Sequence, residues 1–270
     1  MRVGVAQLNC EVGNISANTD KMIRLAEEAK RSGCNVILFP EMSDTGYVMP
    51  VIVQTASLWT EGPAVALRRA AEKHHIYIVA GLSERENASV YNSIAFIGPD
   101  GSILGKYRKT HLITAEPMLE HRHLKAGDEL IRGAIDGIPV GFMTCYDVRF
   151  PEIARALAAA GAEIIFLPAA FPLVRIAHWK ILSEARAIEN QLFIVAANRI
   201  GADGPGLTFG GASRVIDPHG ILLASASETE EKLLLVDLDP AAVKQTRSQL
   251  QVHQDRRPDL YAKPVTILKP

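Results

Sequence analysis

The sequence predicts an α/β protein built as a four-layer α–β–β–α sandwich with an internal pseudo-twofold repeat. Three observations lead there. Short apolar runs recur in pairs: residues 35–40 match 163–168, residues 76–80 match 192–196, and residues 97–101 match 216–220. The order of elements is the same in both halves, with helix-forming segments between the runs. The strand runs are continuously apolar rather than alternating. Both faces of each sheet must then be covered, which suits two sheets packed together beneath outer helices.

Taken in order, residues 3–8 follow Met1 and Arg2 directly and read as a first strand, too short for the core of a signal peptide. A helix is expected over 18–31, a strand over 36–39, a helix over 63–74 and a strand over 76–81. Runs 91–97 and 102–107 flank Gly98-Pro99-Asp100-Gly101, a turn sequence, and predict a hairpin. The apolar, β-prone run 138–143 predicts a strand. Pro151 suits the first turn of a helix, and residues 153–160 continue it. Strands over 164–167 and 193–196, with a helix over 176–190 between them, complete the second unit. No low-complexity segment or linker divides the chain, so one domain over 1–270 is expected.

With 270 residues and 48% hydrophobic content the chain can bury a sizeable core. A net charge of -1 gives no electrostatic case for nucleic acid or an anionic membrane as partner. No apolar run approaches membrane-spanning length. Cys10, Cys34 and Cys145 are odd in number and widely spaced, which points to reduced thiols in a cytoplasmic protein rather than a disulfide framework or zinc site. Cys10 and Cys34 adjoin apolar strand runs and read as packing residues.

Cys145 is different, because it stands where an apolar strand ends and a helix-forming run begins. Unpaired N–H groups and a helix dipole there would favour thiolate, although a lone cysteine is more often structural. Glu41 follows the strand end at Phe39-Pro40; a carboxylate there suits general-base work, or else a turn cap. Lys109 lies in Gly105-Lys106-Tyr107-Arg108-Lys109. Basic clusters are usually solvated, but alternation places Tyr107 and Lys109 on one face and Lys106 and Arg108 on the other. Lys109 can therefore point inward. Together they form a coherent set: Glu41 takes the thiol proton, while Lys109 and the Tyr146 N–H receive an oxyanion.

These three segments resemble those of the nitrilase superfamily of carbon–nitrogen hydrolases, whose Glu–Lys–Cys triad has this order, and the resemblance covers essentially the whole chain. It implies the same four-layer fold. It also implies a second glutamate, seven residues ahead of the glycine in a turn such as Ala126-Gly127-Asp128; Glu120 fits, and Glu116 is the weaker candidate. The segments Cys145-Tyr146-Asp147-Val148-Arg149-Phe150-Pro151-Glu152 and 177–190 are most similar to the omega-amidase branch, which implies hydrolysis of 2-oxo acid amides such as 2-oxoglutaramate. Such a substrate carries a carboxylate that calls for a guanidinium. Arg149 and Arg175 are the candidates, with a structural salt bridge the alternative for each. His121 and His123 lack a third spaced ligand for a metal, and His178-Trp179 reads as pocket wall. No metal or organic cofactor is implied, and the partner is a small amide. The resemblance further suggests a homodimer through helices 151–160 and 176–190. A deaminated-glutathione amidase, a carbamoylase, an aliphatic nitrilase and a non-catalytic binding protein of the same fold stay open. A papain-like peptidase would need a histidine base, and none is well placed on a strand.

Overall fold

A computed structural model of the chain describes residues 1–204 and 207–264. Strand β1 (Arg2–Gln7) leads to helix α1 (Ile15–Arg31), strand β2 (Val36–Phe39), helices α2 (Met49–Thr55) and α3 (Gly62–His74), and strands β3 (Tyr77–Glu86), β4 (Ser89–Ile97) and β5 (Ile103–Arg108). After a long connection come β6 (Arg132–Ile135), β7 (Ile138–Phe142), α4 (Pro151–Ala159), β8 (Ile164–Ala169), α5 (Ile176–Asn190) and β9 (Phe193–Asn198). A small hairpin, β10 (Ile200–Ala202) and β11 (Thr208–Gly210), precedes β12 (Arg214–Ile216), β13 (Leu222–Ser225) and β14 (Lys232–Asp237). Helices α6 (Ala241–Gln249) and α7 (Pro258–Tyr261) follow.

The two large sheets run β14-β1-β2-β3-β4-β5 and β6-β7-β8-β9-β12-β13. Read in those directions, both show the same succession of antiparallel, parallel, parallel, antiparallel and antiparallel pairings. The correspondence reaches single residues. Val36 pairs with Tyr77 as Ile164 pairs with Phe193. Helices α3 and α5 both end on a left-handed residue, His75 and Gln191, each with φ of 49°. Both matched turns close in the same way, Gly101 N–H donating to Gly98 O and Gly220 N–H to Asp217 O.

Alternate residues of each strand fill different layers. Val36, Leu38, Ile164, Phe166, Phe193 and Val195 meet between the sheets. Ile37 and Phe39 turn outward beneath α1 and α3, and Ile165, Leu167, Ile194 and Ala196 pack with apolar residues of α4 and α5. Burying one large side chain of this kind stabilises the fold by about 1.5–3 kcal/mol. The four-layer sandwich and its repeat are therefore as expected. Cys10 and Cys34 are packed in the outer layer of the first half.

The differences lie at the margins. Helix α1 starts at Ile15, because the Asn14 side chain caps it by accepting from the Ala17 N–H at 3.3 Å. Strand β3 runs on to Glu86, since its polar end is paired: Glu84 is buried against Lys106 and Arg108. Helix α2 and the edge strands β6 and β14 had no clear periodic signal. β14 matters most to the topology: it returns from the end of the second unit to close the first sheet, pairing along all of β1 from Arg2↔Asp237 to Gln7↔Lys232. Among the described residues no helix is long and apolar enough to cross a membrane.

Candidate active site

Glu41 leaves the end of β2 in a tight turn pressed against β3. A Cβ on Gly81 would stand 2.5 Å from both Pro40 O and Glu41 Cα, so only glycine admits this approach. Ser43 N–H anchors the turn on Gly81 O at 2.8 Å. The Glu41 carboxylate is wholly buried; Oε2 accepts from Ala170 N–H at 2.8 Å, and Oε1 accepts from Asn92 Nδ2 at 2.6 Å and Lys109 Nζ at 2.8 Å. The Cys145 thiol is buried nearby and feels the charge of the same carboxylate.

Lys109 lies one residue beyond β5, its backbone held by Asn92 O and Gly127 N–H. It is inward as alternation predicts, and Tyr107 is buried with it. Lys106 and Arg108 lie on the other face, where they pair with Glu84 rather than being merely solvated. Lys109 Nζ is also 2.9 Å from the Glu120 carboxylate. Glu120 opens a short 3-10 turn (Glu120–Arg122), and it too has no exposed surface. Its Oε1 accepts from Tyr47 Oη at 2.6 Å and its Oε2 from Ile113 N–H at 2.8 Å. Glu116 is exposed, so Glu120 is the glutamate that reaches the cluster.

Cys145 opens a 3-10 turn (Cys145–Arg149) with φ of 45°, while α4 begins only at Pro151. That geometry corrects the expectation of a helix-stabilised thiolate. Burial pushes the Cys145 thiol well above its ordinary value, and the neighbouring Glu41 charge pushes the same way, against Lys109. Burial likewise raises Glu41, with Lys109 opposing. For Lys109 burial acts downward, but Glu120 and Glu41 outweigh it and the ammonium is held well above the usual lysine value. The cluster thus sets a thiol that burial holds toward its protonated form beside a lysine that Glu120 and Glu41 hold toward its charged one.

The other residues expected in the site stand at its rim. Tyr146 is half-buried beside Cys145 and packs edge-on against Phe150. The Arg149 guanidinium lies 5.9 Å from the Tyr146 ring and 5.2 Å from that of Phe171, and its Nη1 is 3.3 Å from His178 Nδ1. Burial and the nearby Arg175 cation both lower Arg149 from the usual arginine value. Arg175 is exposed. Neither arginine forms a salt bridge with a carboxylate among the described residues.

Tyr47, Asn92 and Asp147 are the polar residues of this region that sequence reasoning did not single out. Asn92 is buried in β4 between Ser93 and Tyr91, and its partners Glu41 and Glu120 are remote in sequence. Beyond Tyr47 a cavity of about 200 Å³ opens, walled by Met49, Met118, Leu207 and Asp203 among others.

A family model described as carbon-nitrogen hydrolase matches residues 2–248. A 2-oxoglutaramate amidase of Bacillus subtilis (strain 168) is 35% identical over 260 residues, covering 96% of this chain and 98% of that protein. An omega-amidase of Mus musculus is 31% identical over 265 residues, covering 95% of this chain and 96% of its own length. Among solved structures, a mutant of the amidase from Nesterenkonia sp. AN1 is 28% identical with a TM-score of 0.86, over 97% of this chain and 95% of that one. That structure shows covalent addition of the acetamide moiety of fluoroacetamide at the active-site cysteine. Another structure of the same amidase is described as from the nitrilase superfamily.

Proposed function

The chain belongs to the carbon-nitrogen hydrolase family and is an amidase acting on a non-peptide C–N bond, and from that premise we propose that Cys145 is its nucleophile, acting on 2-oxo acid amides such as 2-oxoglutaramate. The observation that carries this reading is Lys109 Nζ lying between Glu41 and Glu120, at 2.8 and 2.9 Å, with all three side chains buried beside the thiol.

The charge state sets the order of events. Burial and the Glu41 charge both disfavour a preformed thiolate, so the thiol proton passes to Glu41 as Cys145 Sγ attacks the amide carbon. The carbonyl oxygen becomes an oxyanion, received by the Lys109 ammonium and the Tyr146 N–H. Collapse of that intermediate breaks the C–N bond; Glu41 returns its proton to nitrogen and ammonia leaves. Water then gives a proton to Glu41 and attacks the thioester, and the proton returns to sulfur as the acid departs. Glu120 keeps Lys109 aimed while Tyr47, Ile113 and Asn92 hold Glu120.

The preference for an anionic amide is supported by Arg149 and Arg175, two neighbouring guanidinium groups at the rim that form no salt bridge with a carboxylate among the described residues. Cys145→Ala is expected to lower turnover by about four or more orders of magnitude, with a wild-type fold by circular dichroism. Mass spectrometry after brief exposure to 2-oxoglutaramate should find the acyl adduct on Cys145 in the wild type. Arg149→Ala and Arg175→Ala should raise KM for 2-oxoglutaramate about tenfold or more, and that for butyramide little. Equal losses on both amides refute the carboxylate clamp, and residual turnover above about a hundredth refutes the nucleophile.

A further inference from the structure

Asp147 has no part in these steps, yet it is wholly buried and its carboxylate accepts five hydrogen bonds. Oδ2 accepts from Thr144 N–H at 2.9 Å and Tyr107 Oη at 2.7 Å. Oδ1 accepts from His111 N–H at 3.1 Å, His111 Nδ1 at 3.1 Å and Thr110 Oγ1 at 3.2 Å. These donors come from only two places. Thr144 immediately precedes Cys145, and Tyr107, Thr110 and His111 closely flank Lys109. The far end of the nucleophile turn is fixed too, since the His111 ring stacks on Phe150 at 3.7 Å and Arg186 Nε donates to Val148 O at 3.0 Å. Such fixing is needed because Cys145, at φ of 45°, has a backbone conformation that a side chain disfavours.

We propose that Asp147 is a positioning residue for amide hydrolysis: one carboxylate ties the nucleophile turn to the Lys109 segment and holds Cys145 Sγ, the Tyr146 N–H and Lys109 Nζ in one frame. The inference rests on the reading of Cys145 and Lys109 as the reacting pair. A carboxylate is required because only acceptor oxygens suit five donors. An amide of the same shape turns its own N–H groups on at least two of them.

Asp147→Asn tests this. Misplacement by an ångström or so should lower kcat about 100-fold while KM stays within about threefold. Alkylation of Cys145 by iodoacetamide, which requires no amide turnover, should slow about tenfold. Tyr107→Phe removes one donor and leaves the carboxylate, and should lower kcat about fivefold. The double variant should be no slower than Asp147→Asn alone, because both changes act through one group. A folded Asp147→Asn enzyme with kcat within about threefold of wild type overturns the proposal. So does faster alkylation, which marks general loosening rather than lost alignment. If Asp147→Asn does not fold, unchanged kcat in Tyr107→Phe overturns it instead. Cys145→Ala, measured alongside, separates the two readings. Retained turnover there refutes the nucleophile assignment and this proposal with it. Abolished turnover beside wild-type-like Asp147→Asn refutes this proposal alone.

Discussion

Replacing Lys109 by methionine keeps the volume of the side chain and removes the one cation between Glu41 and Glu120. Each carboxylate keeps its neutral donors, Ala170 N–H and Asn92 for Glu41, Tyr47, Ile113 N–H and Asn92 for Glu120. What they lose is the opposite charge, in a place with no exposed surface. Breaking a buried pair from one side destabilises by about 3–5 kcal/mol. The chain can relieve part of this by holding a proton on the carboxylate pair, and that makes the deficit depend on pH. A glutamate whose folded pKa is raised contributes stability below its unfolded value and loses it as pH rises through the folded one. The variant should therefore lose stability from about pH 5 upward, with a limiting slope of about 1.4 kcal/mol per pH unit for each extra bound proton. In the wild type the raised Lys109 has the same sign but a different window: its contribution is complete below the ordinary lysine value of 10.5 and is lost only above it. Urea unfolding of Lys109→Met followed by tryptophan fluorescence at pH 5.5 and 7.5 measures the difference. A deficit under about 1 kcal/mol at pH 7.5, or one equal at both pH values, refutes the picture of a dry charge cluster.

Two further outcomes follow from the same geometry. Gly81→Ala sets a Cβ 2.5 Å from Pro40 O and Glu41 Cα, so the Glu41 turn must move; a loss of about 1–3 kcal/mol in chemical unfolding and at least about tenfold in kcat is expected, and wild-type values for both would refute the contact. Because burial raises Glu41, the acid limb of kcat/KM should fall at a pH above the ordinary glutamate value of 4.5, as protonation removes the base; a limb at or below that value shows that Glu41 is not the group titrating.

The layers were legible because they follow from apolar period and repetition, which are local facts. Val36 and Leu38 face the opposite sheet while Ile37 and Phe39 face helices, and a run apolar at every position states both needs at once. The inward turn of Lys109 was legible for the same reason, through alternation with Arg108. Glu120 was reachable only by resemblance, since it sits on an irregular connection whose path depends on Ile113 and Tyr47. Tyr47 and Asn92 were harder, because each is polar for the sake of a partner remote in sequence, Asn92 bridging Glu41 and Glu120. The thiolate expectation failed for a physical reason. A strand-to-helix junction implies a dipole, but here a single 3-10 turn intervenes and burial beside Glu41 dominates.

The repeat also explains why the cluster is chemically lopsided. Aligned through the paired runs, Glu41 corresponds to Ala169 and Cys145 to Leu8. The matching rims meet across the site, for it is the N–H of Ala170, next to Ala169, that donates to Glu41. A carboxylate at Ala169 as well would place a further negative charge near a thiol that must surrender its proton and a lysine that already serves two glutamates. One small, uncharged rim lets a single ammonium nearly balance the site while leaving a neutral N–H to orient the base. Lys109 and Glu120 come from the end of β5 and the long connection before β6, just where the repeat stops. Duplication thus builds a rigid rim, and the unrepeated segment gives it its charge.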